Sequence, residues 1–117
     1  TGSVCQLPYY QNAIAEMSKR VTSPSYYIFS DDIVWVRENL PLQNAVYIDW
    51  NTGEDSWQDM MLMSHCKHHI ICNSTFSWWG AWLNPSIDKT VIVPSRWFQY
   101  SETPDIYPTG WIKVPVD

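Results

Sequence analysis

Between Cys72 and Trp78 the chain reads Asn73-Ser74-Thr75-Phe76-Ser77, a run of hydroxyls where an apolar, strand-like segment gives way to a helical one. The first turn of a helix leaves four backbone N–H groups without intrahelical partners. The hydroxyls of Ser74, Thr75 and Ser77 add donors beside them, so the segment can cradle an anion such as a diphosphate. The plainer reading is N-capping by Asn73 or Ser74, which any helix start needs. Spacing alone leaves both readings open. Asn73-Ser74-Thr75 also spells a glycosylation acceptor, but a glycan there would block the strand end.

Two other strand ends carry carboxylates. Ser30-Asp31-Asp32 follows the first apolar run, and paired acids there can hold a divalent cation, orient a sugar hydroxyl or act as a general base. Capping of the next helix is the competing role, more so for Asp32 than for Asp31. Asp49, Asn51, Asp55 and Asp59 surround the next junction. A carboxylate beside a nucleotide pairs with a guanine edge or a ribose hydroxyl, so the acids of this junction, Asp55 and Asp59 among them, are candidates to read a nucleoside.

His65-Cys66-Lys67-His68-His69 has the residue types of a metal site but no zinc spacing. It also runs into a strand, where neighbouring side chains point to opposite faces, so no metal is expected. Trp78-Trp79-Gly80-Ala81-Trp82-Leu83 sets three indoles around a small pair. Glycine inside a helix costs about 1 kcal/mol relative to alanine, so Gly80 is expected to permit a close backbone approach.

The elements that must position these groups alternate. Pro8 stands at a helix start, with Tyr10, Ala13, Ile14, Met17 and Val21 on one face. Ser23-Pro24-Ser25 ends that helix. Tyr26-Tyr27-Ile28-Phe29 reads as a buried strand, and the next helix has Ile33, Val36 and Leu40 as its apolar face. Ala45-Val46-Tyr47-Ile48 is a second strand. A helix follows from about Glu54-Asp55 to Cys66, apolar on most sides and hence expected to be well covered. His69-Ile70-Ile71-Cys72 is the third strand, Thr75–Leu83 a helix stopped by Asn84-Pro85, and Thr90-Val91-Ile92-Val93 the fourth strand. The pattern predicts an α/β fold, Rossmann-like with three α/β/α layers, whose mostly parallel sheet of about four strands is covered on both faces. Ligands of such sheets bind at the C-terminal strand ends. Residues 1–117 read as one domain, and residues 95–117 as an irregular wrapping segment.

Composition excludes several classes. Apolar residues make up 45% and charged residues 16%, which favours a packed core over disorder. A net charge of −5 argues against nucleic acid, which is bound by basic faces. No apolar run approaches the roughly 18 residues of a membrane span, and no stretch reads as a signal peptide. Three cysteines without framework spacing predict free thiols in a reducing compartment. Eight tryptophans in 117 residues are unusual; most are expected to fill the core and some to face a ligand or a partner.

The string from Met63 through Asn84, M-S-H-C-K-H-H-I-I-C-N-S-T-F-S-W-W-G-A-W-L-N, resembles the C-terminal signature of the bacterial-type α-1,2-fucosyltransferases of glycosyltransferase family 11. Supporting pieces stand in the family's order: Tyr9-Tyr10 with Ala13-Ile14, Phe29-Ser30-Asp31-Asp32, Glu54-Asp55 with Asp59-Met60 and Leu62-Met63-Ser64, then Pro94, Trp97-Phe98 and Trp111. The likeness covers roughly Tyr9 to Trp111. It implies the C-terminal half of a GT-B-like transferase that inverts at the anomeric carbon. L-Fucose would pass from GDP-β-L-fucose to a terminal galactose in an α-1,2 link, with no cofactor and no obligate metal. The resemblance assigns the donor phosphates to Ser74, Thr75, Phe76 and Ser77 and the guanine to Asp59. For a bacterial member it implies a location in the cytoplasm or on the cytoplasmic side of the membrane.

The family's H-x-R-R-x-D motif, which brings an arginine to the donor phosphates, does not occur in residues 1–117. A diphosphate in a partly dry cleft needs compensating cations, and Lys67 and Arg96 are not obvious substitutes. The expectation is a donor-binding part without its acceptor-side half, weak in GDP binding and inactive alone. Apolar surface left by the absent half would invite self-association. The catalytic base is unassigned, with Asp31 and Asp32 as weak candidates. A response-regulator receiver domain fails on chemistry, since Asn73-Ser74 stands where the phospho-acceptor aspartate belongs and Pro94-Ser95 where the lysine does. A non-catalytic carbohydrate-binding or interaction module using the tryptophan-rich surface is the other reading.

Overall fold

The computed structural model describes residues 5–30, 33–40, 42, 44–49, 56–72, 74–96 and 106–117. Its elements run α1 (Leu7–Arg20), β1 (Tyr26–Ser30), α2 (Ile33–Asn39), β2 (Ala45–Asp49), α3 (Ser56–Ser64), β3 (His69–Ile70), α4 (Thr75–Leu83), β4 (Val91–Pro94) and β5 (Ile112–Val114). α1 starts with Pro8 in its first turn, where a missing N–H costs nothing, and ends on Lys19 and Arg20 beside its exposed carbonyls. Asn44 enters β2 through the left-handed region, φ 54°, a conformation asparagine tolerates. Its carbonyl accepts from the Tyr26 amide at 2.8 Å, which sets the start of the β1–β2 ladder.

Mixed α/β structure with parallel pairing is as the sequence predicts, but the sheet is divided. β1 and β2 form one parallel pair in which Tyr27 faces Val46. β3, β4 and β5 form a second parallel sheet in that order, with Ile70 opposite Ile92 and Ile92 opposite Ile112. β5 lies in the tail expected to be irregular. A three-residue strand of Ile-Lys-Val among prolines is too short to register as a periodic pattern, yet it covers the outer edge of β4.

The core sits on the second sheet. Ile92 packs with Tyr9, Ala13 and Met17 of α1, together with Val114 and Val116. Val91 and Val93, pointing the opposite way as alternate strand residues must, pack with Ile71 and with Ala81 of α4. Tyr9 is fully buried, and its hydroxyl donates to the carbonyl of Ile71 beside the carbonyl of Ile92, fixing α1 across β3 and β4. Burial, and to a lesser degree Tyr10 and Tyr107, raises its phenol well above the usual range.

Two expectations of coverage fail. Tyr27 and Val46, paired in register, are 57% and 49% exposed, so that face of the first sheet is open. On α3, Trp57, Met61 and Leu62 are exposed although the helix is apolar nearly all round. Apolar composition states a demand for burial. The described residues do not supply enough partner surface to meet it.

The cysteine expectation also fails. Cys5 and Cys72 are joined in a disulfide with their Cα atoms 5.8 Å apart, and Cys66 alone is free. The two lie 67 residues apart in sequence. Docking of α1 on the sheet brings them within bonding reach, which linear spacing cannot reveal. Such a bond persists in an oxidising environment and is held as a dithiol in a reducing one.

Candidate functional site

β3 ends at Ile70, and after four intervening residues α4 begins at the C-terminal edge of the second sheet. Ser74 is the N-cap of α4, extended in backbone, and its Oγ accepts from the Ser77 amide at 3.4 Å. The Trp78 amide donates to the Ser74 carbonyl at 3.0 Å and closes the first helical turn. Thr75 is exposed, Phe76 half-buried and engaged with a partner, and Ser77 buried. The Ser77 hydroxyl lies 3.0 Å from the Ser74 carbonyl and 3.3 Å from the Cys72 carbonyl. It braces the turn from within. Of the three hydroxyls expected at an anion, that of Thr75 belongs to an exposed residue, that of Ser74 caps the helix and that of Ser77 points at backbone.

The sequence candidates are only partly assembled. Asp31, Asp32, Asp55, Asn51 and Asn73 lie outside the described residues. Asp49 closes β2. Asp59 stands in the first turn of α3, the helix packed on α4, and is 1% exposed with its interactions already made. A carboxylate so covered is part of the packing between elements. Arg96 follows β4 at the same sheet edge as the α4 N-terminus, and its Nε is buried with no hydrogen-bond partner among the described residues.

The histidine cluster serves the frame. His68 Nδ1 accepts from the Thr90 amide at 2.9 Å. Asn84 Nδ2 donates to the Cys66 carbonyl at 2.8 Å and lies 2.9 Å from His69 Nε2, so that nitrogen accepts and the ring is neutral. Burial, then the charges of Lys89 and His68, push the His69 pKa down to about 4. Lys89 Nζ donates to the carbonyls of Ala81 at 2.8 Å and Asn84 at 2.7 Å, a cation at the negative end of α4.

Three features were not legible in the sequence. A shallow hollow of about 230 Å³ opens beside Thr75, walled by Trp78, Trp79 and Ile106. Trp78 Nε1 donates to the Ile106 carbonyl at 3.0 Å, and Trp111 rests on the Trp78 ring, so the tail clamps the start of α4. The disulfide, finally, holds Cys72 one residue before Asn73. Each depends on contacts across 28 to 67 residues.

A sequence profile described as glycosyl transferase family 11 matches residues 1–115. The chain belongs to that family. The family 11 resemblance of the Met63–Asn84 string thus holds over nearly the full length. The chain is similar to the O-antigen biosynthesis glycosyltransferase WbnK of Escherichia coli, 38% identical over 112 residues, 95% of this chain and 37% of that protein. It is also similar to an alpha-1,2-colitosyltransferase of Escherichia coli, 35% identical over 95% of this chain and 40% of that protein. A galactoside alpha-(1,2)-fucosyltransferase 1 of Saimiri boliviensis boliviensis is 27% identical over 70% of this chain and 23% of its own length. This family 11 chain spans about two fifths of the length of the bacterial relatives it matches. No solved structure matches it. Among the described residues no helix is long and apolar enough to cross a membrane.

Proposed function

We propose that this chain is the donor-binding part of a glycosyltransferase that moves L-fucose, a 6-deoxyhexose, from GDP-β-L-fucose to the 2-hydroxyl of a terminal galactose with inversion. The observation that carries the reading is the mouth of α4 at the strand edge of a family 11 chain. There Ser74 caps the helix and Ser77 braces the turn, and in this reading exposed Thr75 and the first amides are the groups offered to the donor phosphates. Phe76 contributes its place in that turn. Arg96 supports the same reading, since an anion at this edge would satisfy a buried donor that otherwise costs about 1–3 kcal/mol.

Asp55 and Asp59 are proposed for the nucleoside, Asp59 through the partners it already holds. The base that takes the acceptor proton must lie opposite the departing GDP, and Asp31 or Asp32 are its candidates in this chain. No metal step is invoked: amides, hydroxyls and a guanidinium supply the positive potential at the leaving diphosphate. Relation to a GT-B, three-layer transferase fold is part of the proposal. So are the cytoplasmic site of action and inactivity of the chain without an H-x-R-R-x-D segment. Self-association through Trp57, Leu62 and Trp82 is proposed too, because these exposed groups are apolar. A lectin-like reading is favoured only by that aromatic surface.

Calorimetric titration with GDP, in parallel with lactose, tests the proposal. A saturating, weak response to GDP that Thr75→Ala diminishes supports a donor site. Response to lactose with none to GDP would sink it in favour of the lectin. Transfer from GDP-fucose to lactose is expected only in a protein that also carries the arginine motif.

A further inference from the structure

The hollow beside Thr75 has a shape that selects among the parts of a sugar nucleotide. Trp78 and Trp79 meet edge to face, their centroids 5.0 Å apart and their planes at 76°. With Ile106 they form an apolar corner, and Thr75 adds a single hydroxyl. At about 230 Å³ the space is below the roughly 300–1,000 Å³ of sites that take a whole drug-sized ligand, so it admits one ring and little more. Thr75 is both the first residue of α4 and a wall of the hollow. A phosphate at the helix mouth therefore delivers its neighbouring group into the corner.

A diphosphate in a sugar nucleotide has two neighbours, the sugar and the nucleoside. A flat purine gains most from a slot with parallel walls, where both faces stack. Rings set nearly at right angles offer one face and one edge. A chair-shaped pyranose fits that better, with its C–H face on one indole and an apolar substituent in the angle. The division of labour between the indoles agrees. Trp78 is immobilised by its hydrogen bond to Ile106 and by Trp111, whereas Trp79, which meets Trp82 edge to face, is still 42% exposed.

We infer that this corner is the subsite for the sugar ring of the donor, a 6-deoxyhexose whose C–H face lies on Trp79 and whose methyl enters the angle toward Trp78 and Ile106. The inference rests on the donor reading above and adds which part of the donor meets which side chain. Trp79 is then a specificity-determining residue, since a hydroxymethyl in place of the methyl would bring an unpaired hydroxyl into an apolar angle.

Saturation-transfer NMR of this chain with GDP-fucose separates the parts, because the fucose methyl and guanine H8 resonate apart. The methyl is expected to receive strong saturation, at least threefold weaker in Trp79→Ala, with H8 unchanged. Ile87→Ala, 96% exposed and away from the hollow, is expected to alter neither. Trp79→Gln keeps a longer side chain than alanine but no ring, and must behave as Trp79→Ala does if stacking is the cause; circular dichroism confirms that each variant folds. Methyl saturation untouched by both Trp79 variants overturns the subsite, as does its absence from the unsubstituted chain. Loss of H8 saturation in the Trp79 variants overturns it too, because the corner would then hold the base. Methyl saturation that depends on Trp79 and is equalled by free L-fucose, with none at H8, upholds the sugar corner while removing the donor reading beneath it.

Discussion

At the scale of single residues, two hydroxyls two positions apart have different work. Ser77 is buried and bonded to backbone carbonyls, whereas Thr75 is exposed at the helix mouth. Ser77→Ala is expected to lower stability by about 1 kcal/mol, the worth of one internal hydrogen bond, read in thermal denaturation. Thr75→Ala should leave the melting temperature within a degree or two and weaken GDP binding severalfold. His69 gives a prediction with a sign. Its folded pKa of about 4 lies below the ordinary 6.5, so the unfolded chain takes up a proton first as pH falls. Stability from this group is complete above pH 6.5 and drains away toward pH 4, by on the order of 3 kcal/mol. Urea titrations across that window should show the slope in the unsubstituted chain and a shallower one in His69→Gln.

At the scale of elements, α3 and α4 pack through Gly80. A Cβ at that position would sit 2.7 Å from Met63 Sδ and 3.2 Å from Met63 Cβ. The sulfur can swing aside, but the Cβ moves only with its helix. Gly80→Ala therefore sets a helix-propensity gain of about 1 kcal/mol against overpacking of about 1–3 kcal/mol. A net loss near 1 kcal/mol is expected, and a double-mutant cycle with Met63→Ala should show part of it relieved. That a glycine amid tryptophans implied close approach was legible in the sequence; which residue it approached was not. The same division runs through the fold. Local period and turn residues revealed α1, β1, β2, α4 and β4 nearly to their ends, because each is specified by its own residues. The split into two sheets, the exposed side of α3 and the strand status of Ile112–Val114 are decided by distant partners. In the site, the sequence marked residues 74–77 but not the inward turn of Ser77, a property of the folded helix start.

At the scale of the whole molecule, the Cys5–Cys72 bond closes a loop between residues 67 apart. Chain entropy values such a closure at about 4 kcal/mol. Reduction, or Cys5→Ser, is expected to lower the melting temperature by on the order of 10–20 °C. In a reducing cytoplasm the pair would be a dithiol; alkylation before lysis, read by mass, reports which state the cell keeps. The C-terminal strand binds the molecule in a second way. All four residues of β4 are buried, and β5 is the strand that closes its far side. Deletion of residues 111–117, no more residues than α2 holds, would strip the ladder from Ile92, Val93 and Pro94 and leave an unguarded strand edge of valine and isoleucine. Such a chain is expected to emerge from the ribosome largely as aggregate, measured as the soluble fraction after lysis. Residues 111–117 are thus a seal against cross-chain pairing, and a library of deletions should find its solubility cliff there rather than at any residue of the corner between Trp78 and Trp79.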